Sequence, residues 1–421
     1  MRDFLFIIYD IIFILGLFLY FPIYFLRKKI NFYAIKAKLG FLSLVKNKNC
    51  LWIQVVSVGE VNLIARLVSE WRKIKRIPIV ISTTTLTGYQ IARDKYSLFC
   101  EIIYFPFDLS FVLKKVIKKI KPKIFVAVET EIWPNLFYQL KKRNIPIVII
   151  NGRISQKSFL RYKLIKPITK SVLRNCDYIG VQNSFYKKRF ISLGAEKEKI
   201  FISGNMKFES IQVDKERLKE IEEKFSFLKE KLLFVAGSTH YPEEEIIVEI
   251  YKNIADAKEN INLLVAPRHI QRVPNIEKII LSYGFTPVRI SKLTKVVGEK
   301  SIFLLDTIGQ LLYFYSFCDF CFVGGSLTKF GGHNILEPIY FGKPTCFGPF
   351  MDNFKDVEKV VLDKGAAIKV KNKEELQKVI LVLIKDKILR EKLRARCKEV
   401  FEEERKSLKI NLEIISRCIK V

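Results

Sequence analysis

Histidine is scarce in this sequence, and basic residues far outnumber acidic ones. The 421 residues include three histidines, and 73 Lys and Arg against 43 Asp and Glu give a formal net charge of +30. Such an excess of positive charge favours acidic partners, namely nucleic acid, anionic lipid or a phosphorylated substrate. Because no RRM, HTH or KH signature is present, we expect no nucleic-acid partner.

The eight cysteines form no disulfide framework, so we expect free thiols in a reducing compartment. Cys318-x-x-Cys321 stands alone in an apolar stretch, which predicts buried thiols rather than a zinc site. The chain also lacks a D-x-D motif, internal repeats, low-complexity tracts and long linkers.

Its length and its 49% hydrophobic content suit two domains of ordinary size.

The N-terminal segment is long and apolar. Residues 4–26 carry one charge, Asp10, and at about 1.5 Å per residue the segment is long enough to span a bilayer. Three basic residues, 27–29, follow it, whereas one precedes it. The positive-inside rule therefore predicts a single-pass anchor with the body on the cytoplasmic face. Because no small-residue cleavage site follows the segment, we expect the anchor to stay uncleaved. Asp10 leaves a second interpretation open, in which the segment enters one leaflet without crossing.

The body alternates apolar, strand-like runs with helical stretches. Predicted strands cover 51–58, 77–82, 101–104, 124–128, 145–150, 178–181, 232–236, 262–266, 302–305, 320–323 and 345–347. This rhythm predicts an α/β protein with doubly wound parallel sheets, in which ligands bind beyond the carboxyl ends of strands. The predicted domains are the anchor at 1–29, an N-terminal domain at 30–210 and a C-terminal domain at 211–421.

A glycine-rich stretch in the second half is the strongest single feature. Gly324-Gly325 ends an apolar run, and residues 331–334 (GGHN) open a segment with helical spacing. A helix N-terminus stripped of bulk offers unpaired N–H groups to a phosphate, and Glu337 would be placed to accept from a sugar hydroxyl. The alternative is that the glycines only let the helix pack closely on its sheet.

All three histidines follow predicted strands of the second half. His240, His269 and His333 each stand in a strand-to-helix loop. A shared ligand site explains this placement better than chance. Arg268 lies between Pro267 and His269 in one of these loops, which favours a ligand contact over an ordinary surface cation.

Ten motifs, spread in order over nearly the whole chain, carry a resemblance to a known family. They are VSVGE at 56–60, STTTLTGY at 82–89, FPFD at 105–108, VETEIWPNL at 128–136, NGRIS at 151–155, GNMKF at 204–208, AGSTH at 236–240, PRH at 267–269, DTIGQL at 306–311 and GGSLTKFGGHNILEP at 324–338. In these motifs the chain resembles the bacterial Kdo (3-deoxy-D-manno-octulosonic acid) transferases of lipid A assembly. It departs from the family at Gln310, where Glu is more usual, and at Met206, where Leu is usual.

The resemblance implies a GT-B glycosyltransferase fold of two facing Rossmann-like domains behind the N-terminal anchor. It also implies transfer of Kdo from CMP-Kdo to the lipid A precursor, with inversion. The residues that it assigns to catalysis are Glu60, Glu129 and Lys207, and those that it assigns to donor binding are Pro267, Arg268, Ile308, Gly309, Gln310, Asn334, Ile335, Leu336 and Glu337.

Glu60 matches the base of the family. A hydroxyl that attacks an anomeric carbon needs a base within hydrogen-bond reach. The alternative role of Glu60 is that of a first-turn carboxylate that stabilises a helix dipole.

Glu129-x-Glu131 presents a second pair of possibilities. Two carboxylates two residues apart on an extended segment point to one side and could bind a divalent metal. Following the family resemblance, we favour Glu129 as a carboxylate of the catalytic site that helps to order the transition state, with Glu131 fixing the Trp133 loop instead. We expect neither a metal nor another cofactor, because a monophosphate leaving group needs less metal screening than a diphosphate.

The expected partners are CMP-Kdo, the lipid A precursor and anionic lipid of the inner membrane. The basic segments 113–123 and 159–174 interleave cations with apolar residues and suit such a membrane surface. Two other functions stay open. One is a GT-B transferase that uses a UDP-sugar on a lipid acceptor, and the other is a non-catalytic, basic membrane-surface protein.

Overall fold

The computed structural model describes residues 2–27, 32–42, 48–74, 77–257, 259–293, 298 and 300–419, with the side chains of the first helix described from 6 to 19. The chain forms two compact units. The first comprises Met1–Ser210 and Glu404–Val421, and the second comprises Ile211–Glu403.

The first unit is built on a sheet of seven parallel strands in the order β3-β2-β1-β4-β5-β6-β7. The strands are β1 Leu51–Val55, β2 Ile79–Thr83, β3 Glu101–Tyr104, β4 Ile124–Val128, β5 Ile147–Gly152, β6 Tyr178–Val181 and β7 Ile200–Ile202. The helices are α1 Arg2–Arg27, α2 Phe32–Lys38, α3 Val58–Leu63, α4 Ala65–Ile74, α5 Leu86–Tyr96, α6 Ser110–Ile120, α7 Pro134–Lys141, α8 Gln156–Leu164, α9 Lys166–Arg174 and α10 Ser184–Ser192.

The central strands of this sheet are buried on both faces. Every residue of β1, β2, β4 and β5 is buried, which explains why these strands are continuous apolar runs rather than alternating ones. Successive side chains alternate between two apolar clusters: Trp52 and Phe125 belong to one, and Ile53 and Val126 belong to the other. Helices therefore cover both faces, and the edge formed by the strand ends is where polar side chains collect.

The second unit repeats this plan with seven parallel strands in the order β10-β11-β9-β8-β12-β13-β14. The strands are β8 Leu232–Thr239, β9 Ile261–Pro267, β10 Thr286–Arg289, β11 Ser301–Leu304, β12 Phe320–Val323, β13 Thr345–Phe347 and β14 Ile368–Lys369. The helices are α11 Lys215–Lys224, α12 Glu243–Asp256, α13 Val273–Ser282, α14 Leu311–Phe317, α15 Leu336–Tyr340, α16 Lys355–Asp363, α17 Lys373–Lys385 and α18 Lys387–Glu404. Cys318 and Cys321 are free and buried, as predicted.

Strand order reverses at one point in each sheet. In the first unit β1 lies between β2 and β4, and in the second unit β8 lies between β9 and β12. At such a switch point the connections leave the sheet in opposite directions, so a crevice opens beyond the carboxyl ends of the two neighbouring strands. Each unit therefore has one preferred place for a ligand.

The last helix, α19 Ser407–Cys418, belongs to the first unit. Its apolar face, residues Leu408, Leu412 and Ile415, is buried in the core of that unit, and the Leu408 N–H donates to Glu209 (2.6 Å). The sequence-based division placed this helix in the C-terminal domain, and that part of the division is wrong. The i, i+4, i+7 spacing predicted an apolar face, but not which core would cover it.

The N-terminal helix α1 is also part of the first unit rather than a separate segment. The Phe6 ring stacks on Tyr138 with ring centroids 4.2 Å apart, and Phe13 and Leu17 pack against the core. Within the part of the chain that the structure describes, none of the helices combines the length and apolar character needed to cross a bilayer. The membrane anchor therefore stays a prediction.

Candidate active site

Two carboxylates flank the switch point of the first sheet. Glu60 lies in the first turn of α3, just after β1, and Glu129 directly follows β4. Because β1 and β4 are neighbours, both side chains belong to the crevice beyond their carboxyl ends. The structure thus brings together two of the three residues predicted for catalysis.

Glu60 is held by the start of its own helix. Its Oε2 accepts from the Val56 N–H (2.8 Å), and its Oε1 accepts from the Ser57 hydroxyl (3.3 Å). Ser57 Oγ in turn accepts from the Glu60 N–H (3.4 Å), which completes a variant of the capping box. The helix-stabilising role considered from the sequence is therefore present in the geometry.

The surroundings of Glu60 also alter its acidity. Burial, reinforced by the nearby Glu129 and Glu131 carboxylates, raises the pKa of Glu60 to about 8. Neighbouring negative charges and low polarity both disfavour ionisation. Once ionised, such a carboxylate is a stronger proton acceptor than an ordinary one, which suits a general base.

Glu129 and Glu131 have separate partners. Arg153 Nε donates to Glu129 Oε2 (2.7 Å), whereas the Trp133 indole N–H donates to Glu131 Oε2 (2.9 Å), and burial raises the pKa of Glu131 to about 7. Glu129 has a positive φ of 61°. The sequence argument that both carboxylates point to one side assumed an extended segment, and that assumption is wrong.

Lys207 lies beyond β5 at the same edge of the first sheet. It belongs to a short 3-10 helix, Met206–Glu209, whose first N–H donates to the Asn151 side chain at the end of β5 (3.0 Å). The catalytic role predicted for Lys207 stays a prediction.

The three histidines meet at the carboxyl edge of the second sheet, as the sequence predicted. His240 Nε2 and His333 Nε2 are 2.8 Å apart, so one ring donates its proton to the other. The His269 ring meets the His240 ring edge-on at 5.5 Å between centroids. Burial lowers the pKa of both members of the pair, that of His333 to about 4, and the Arg268 charge adds to the effect. At neutral pH the pair is therefore uncharged.

Arg268 supplies the positive charge beside this pair. Its backbone N–H donates to the Thr239 carbonyl at the end of β8 (3.0 Å), which fixes the loop after Pro267, and its side chain is exposed. The guanidinium lowers the pKa of His333 and opposes the rise that burial causes in the pKa of Glu337. Arg268, His333 and Glu337 therefore lie together at the β8–β12 switch point.

The helix after the glycines begins later than predicted. It runs from Leu336 to Tyr340, and residues 331–334 are an irregular loop in which Gly331 and Gly332 have positive φ angles of 87° and 72°. The Asn334 side chain accepts from the Leu336 N–H (3.2 Å) and donates to Glu337 (3.1 Å). The prediction that residues 331–334 form the N-terminus of the helix is wrong, because they lie in a loop that precedes it.

Some of the residues predicted to bind the sugar donor have buried side chains. Ile335 and Leu336 are buried, so only their backbone groups could contact a ligand. Ile308 and Gly309 form an exposed turn after β11, and the Thr307 hydroxyl bonds the Gln310 side chain (2.8 Å). Gln310 is therefore held by its own loop, at the same strand edge as Arg268.

Glu243, which the sequence analysis did not single out, holds the glycine-rich loop after β12 in place. Its fully buried carboxylate accepts from the backbone N–H groups of Gly325 (2.7 Å), Ser326 (3.0 Å), Leu327 (2.9 Å) and His240 (3.0 Å). A Cβ at Gly324 would lie 2.7 Å from this carboxylate, which explains the glycine there. A Glu three residues after a strand-end His, at the start of a helix, was the available signal.

The chain is similar to known proteins over most of its length. A family model described as 3-deoxy-D-manno-octulosonic-acid transferase (kdotransferase) matches residues 33–210. A 3-deoxy-D-manno-octulosonic acid transferase of Haemophilus influenzae is 32% identical over 87% of this chain and 86% of its own length.

Two further proteins extend the comparison. A bifunctional glycosyltransferase/methyltransferase of Fusobacterium nucleatum is 37% identical over 96% of this chain, and the chain spans 62% of that relative's length. The crystal structure of a glycosyltransferase from Rickettsia africae matches 89% of this chain and 99% of its own with a TM-score of 0.57 at 15% identity. The predicted fold class, two Rossmann-like domains of the GT-B type, is confirmed.

Proposed function

The chain belongs to the family of 3-deoxy-D-manno-octulosonic acid (Kdo) transferases, and we propose that it transfers Kdo from CMP-Kdo to a lipid A precursor, with inversion and release of CMP. One observation carries the proposal. The Glu60 carboxyl, with its pKa raised to about 8, lies at the first switch point, where an acceptor hydroxyl can be deprotonated.

The reaction places a specific demand on each site. The acceptor oxygen forms a bond to the anomeric carbon of Kdo while the bond from that carbon to the phosphate oxygen breaks. Glu60 takes the hydroxyl proton, and CMP leaves with the bonding electron pair. Glu129, held by Arg153, lies close enough to strengthen Glu60 as a base. No metal enters this scheme.

The leaving phosphate needs positive charge and N–H donors where its charge develops. Arg268 is exposed at the second switch point, next to a histidine pair that is neutral at neutral pH. The Glu243 carboxylate fixes the backbone of residues 325–327 before any ligand binds, so donor binding does not have to order this loop. Lys207 is proposed as a further cation for the reacting groups.

We also place the enzyme at the inner membrane. Phe18 and Leu19 of α1 are exposed at 79% and 75%, and Leu164 at the end of α8 is exposed at 86%. The segment 156–174, which forms α8 and α9, contains six cations and no acidic residue. Exposed apolar side chains interleaved with cations favour the surface of a membrane that contains anionic lipid.

Titration with nucleotides tests the proposal directly. Calorimetry on the full chain should give tighter binding of CMP than of UDP. Arg268→Gln should weaken CMP binding by about tenfold or more, since a hydrogen bond to a charged group contributes about 1.5–3 kcal/mol. Lys278→Gln, which removes an exposed cation from α13, serves as the matched control and should leave the affinity unchanged.

Tighter binding of UDP than of CMP would contradict the proposal and favour a transferase that uses a uridine nucleotide. No binding of either nucleotide, together with salt-sensitive attachment to vesicles, would favour a non-catalytic membrane protein.

A further inference from the structure

Asp10 is the one charged residue in the apolar N-terminal segment 4–26, and the structure gives it two specific partners. Its Oδ1 accepts from the backbone N–H of Ser110 (3.0 Å) and from the side-chain Nδ2 of Asn135 (2.7 Å). Ser110 is the first residue of α6, and Asn135 lies in the first turn of α7 and is fully buried. The carboxylate of α1 therefore meets the N-termini of two helices at once.

The N-termini of α6 and α7 are capped by side chains from elsewhere in the chain. The residues that precede these helices, Leu109 and Trp133, provide no side-chain cap. Asp108 caps α7, because its two oxygens accept from the N–H groups of Asn135 (3.1 Å) and Leu136 (2.8 Å). Asp10 provides the corresponding acceptor for α6. Carboxylates at these positions satisfy otherwise unpaired donors and interact favourably with the helix dipole.

The N-terminus of α7 is connected through Trp133 to the carboxylates of the candidate active site. Trp133 immediately precedes α7, its ring packs on Phe105 at 5.0 Å between centroids, and its indole N–H holds Glu131. Glu131 is in turn close enough to Glu60 to raise its pKa. A displacement of the first turn of α7 would therefore move Trp133 and loosen Glu131.

We propose that Asp10 is a positioning residue for the Glu60 and Glu131 carboxylates of the first unit, acting through Asn135 and the first turn of α7. This inference rests on the proposed transferase function for its turnover arm. It gives α1 a role inside the catalytic unit that is independent of any membrane contact.

The two faces of α1 separate this role from membrane attachment. Phe6, Asp10, Phe13 and Leu17 contact the first unit, whereas Ile12 is 63% exposed. Substitutions at Asp10 and Ile12 can therefore separate the apolar character of α1 from its hydrogen bonds to Ser110 and Asn135. Asp10→Leu makes the segment more apolar but removes the acceptor for Ser110 and Asn135. Ile12→Asn, the matched control, makes it more polar and leaves that acceptor in place.

The test measures turnover with CMP-Kdo and a lipid A precursor dispersed in detergent, so that membrane attachment does not matter. Asp10→Leu should lower kcat by about tenfold or more, the scale expected when reacting groups are misplaced by a fraction of an ångström. Asp10→Asn keeps an oxygen at the Oδ1 position and should restore most of the loss, while Ile12→Asn should match the wild type. CMP affinity should be the same in all four proteins.

A fluorescence arm does not depend on the proposed function. Trp52 and Trp71 are fully buried, whereas Trp133 is partly exposed, so a shift in tryptophan emission reports on Trp133. Asp10→Leu should shift the emission to longer wavelength, and the shift should vanish in a Trp133→Phe background. If the wild type transfers no Kdo while this shift is present, the proposed function fails and the positioning role stands.

Two results would overturn the inference. One is wild-type kcat in Asp10→Leu with unchanged Trp133 emission. The other is an Asp10→Leu variant that does not fold, because losing one cap should cost only about 0.5–2 kcal/mol; Asp10 would then support the whole unit rather than the site.

Discussion

Glu60→Gln should greatly reduce turnover and at the same time stabilise the protein at high pH. The substitution keeps the shape of the side chain and one acceptor for the Val56 N–H, but it cannot take a proton. General-base catalysis commonly contributes about 10²–10⁴-fold, so we expect turnover to fall at least about a hundredfold. CMP affinity should be nearly unchanged, because Arg268 and the Glu243-held loop belong to the second unit.

The stability gain follows from the raised pKa of Glu60. Folding moves the pKa from 4.5 to about 8, so the folded state binds the Glu60 proton more tightly than the unfolded state does. This group therefore favours folding most at pH below 4.5, and that contribution is lost as the pH rises to 8. The full displacement corresponds to roughly 5 kcal/mol. Because Glu60 keeps partial solvent contact and Gln weakens the capping box, we expect a gain of about 2 kcal/mol.

Urea unfolding of both proteins at pH 5 and pH 9 measures the difference. Glu60→Gln should be more stable than the wild type at pH 9 and nearly equal to it at pH 5. A variant that is less stable at pH 9 would mean that the cap matters more than the buried charge. Retained turnover would refute the assignment of Glu60 as the base and shift attention to Glu129 and Glu131.

Three further outcomes follow from the same geometry. The value of kcat/KM should rise with pH, with an apparent pKa near 8, because Glu60 must ionise to act as the base. A flat pH profile would contradict its role. Glu243→Gln should weaken CMP binding by about tenfold or more in calorimetry, because a Gln amide cannot accept from four N–H groups. Equal affinity would show that the loop holds without it. EDTA should leave turnover unchanged, whereas loss and recovery with Mg²⁺ would restore the metal interpretation of Glu129 and Glu131.

Much of the fold was predictable because buried parallel strands are continuous apolar runs bounded by polar turns. The strands β3, β4, β6, β12 and β13 begin and end where the sequence placed them. The strands β10 and β14 lie at the edges of the second sheet and were missed, because they are short and partly exposed and have no such run. The packing of α19 on the first unit could not be predicted, because an apolar helix face does not specify which core will cover it.

The candidate site was predictable in its composition more than in its geometry. Strand-end positions brought Glu60, Glu129 and the histidines to the switch points, as expected for this topology. Local backbone conformation was not predictable, which is why the positive φ of Glu129 and the loop at 331–334 differ from expectation. Asp10 interrupts an apolar segment in the sequence, and its hydrogen-bond partners lie 100 and 125 residues further along the chain.

Mass spectrometry of the lipid product tests the central claim most directly. The full chain would be incubated with freshly prepared CMP-Kdo and lipid A precursor, with Glu60→Gln as the matched control. We predict a mass increase of one or more Kdo units on the lipid with the wild type, and at most about a hundredth of that conversion in the same time with the variant. An unmodified lipid after incubation with a folded protein that binds CMP would contradict the proposed transfer.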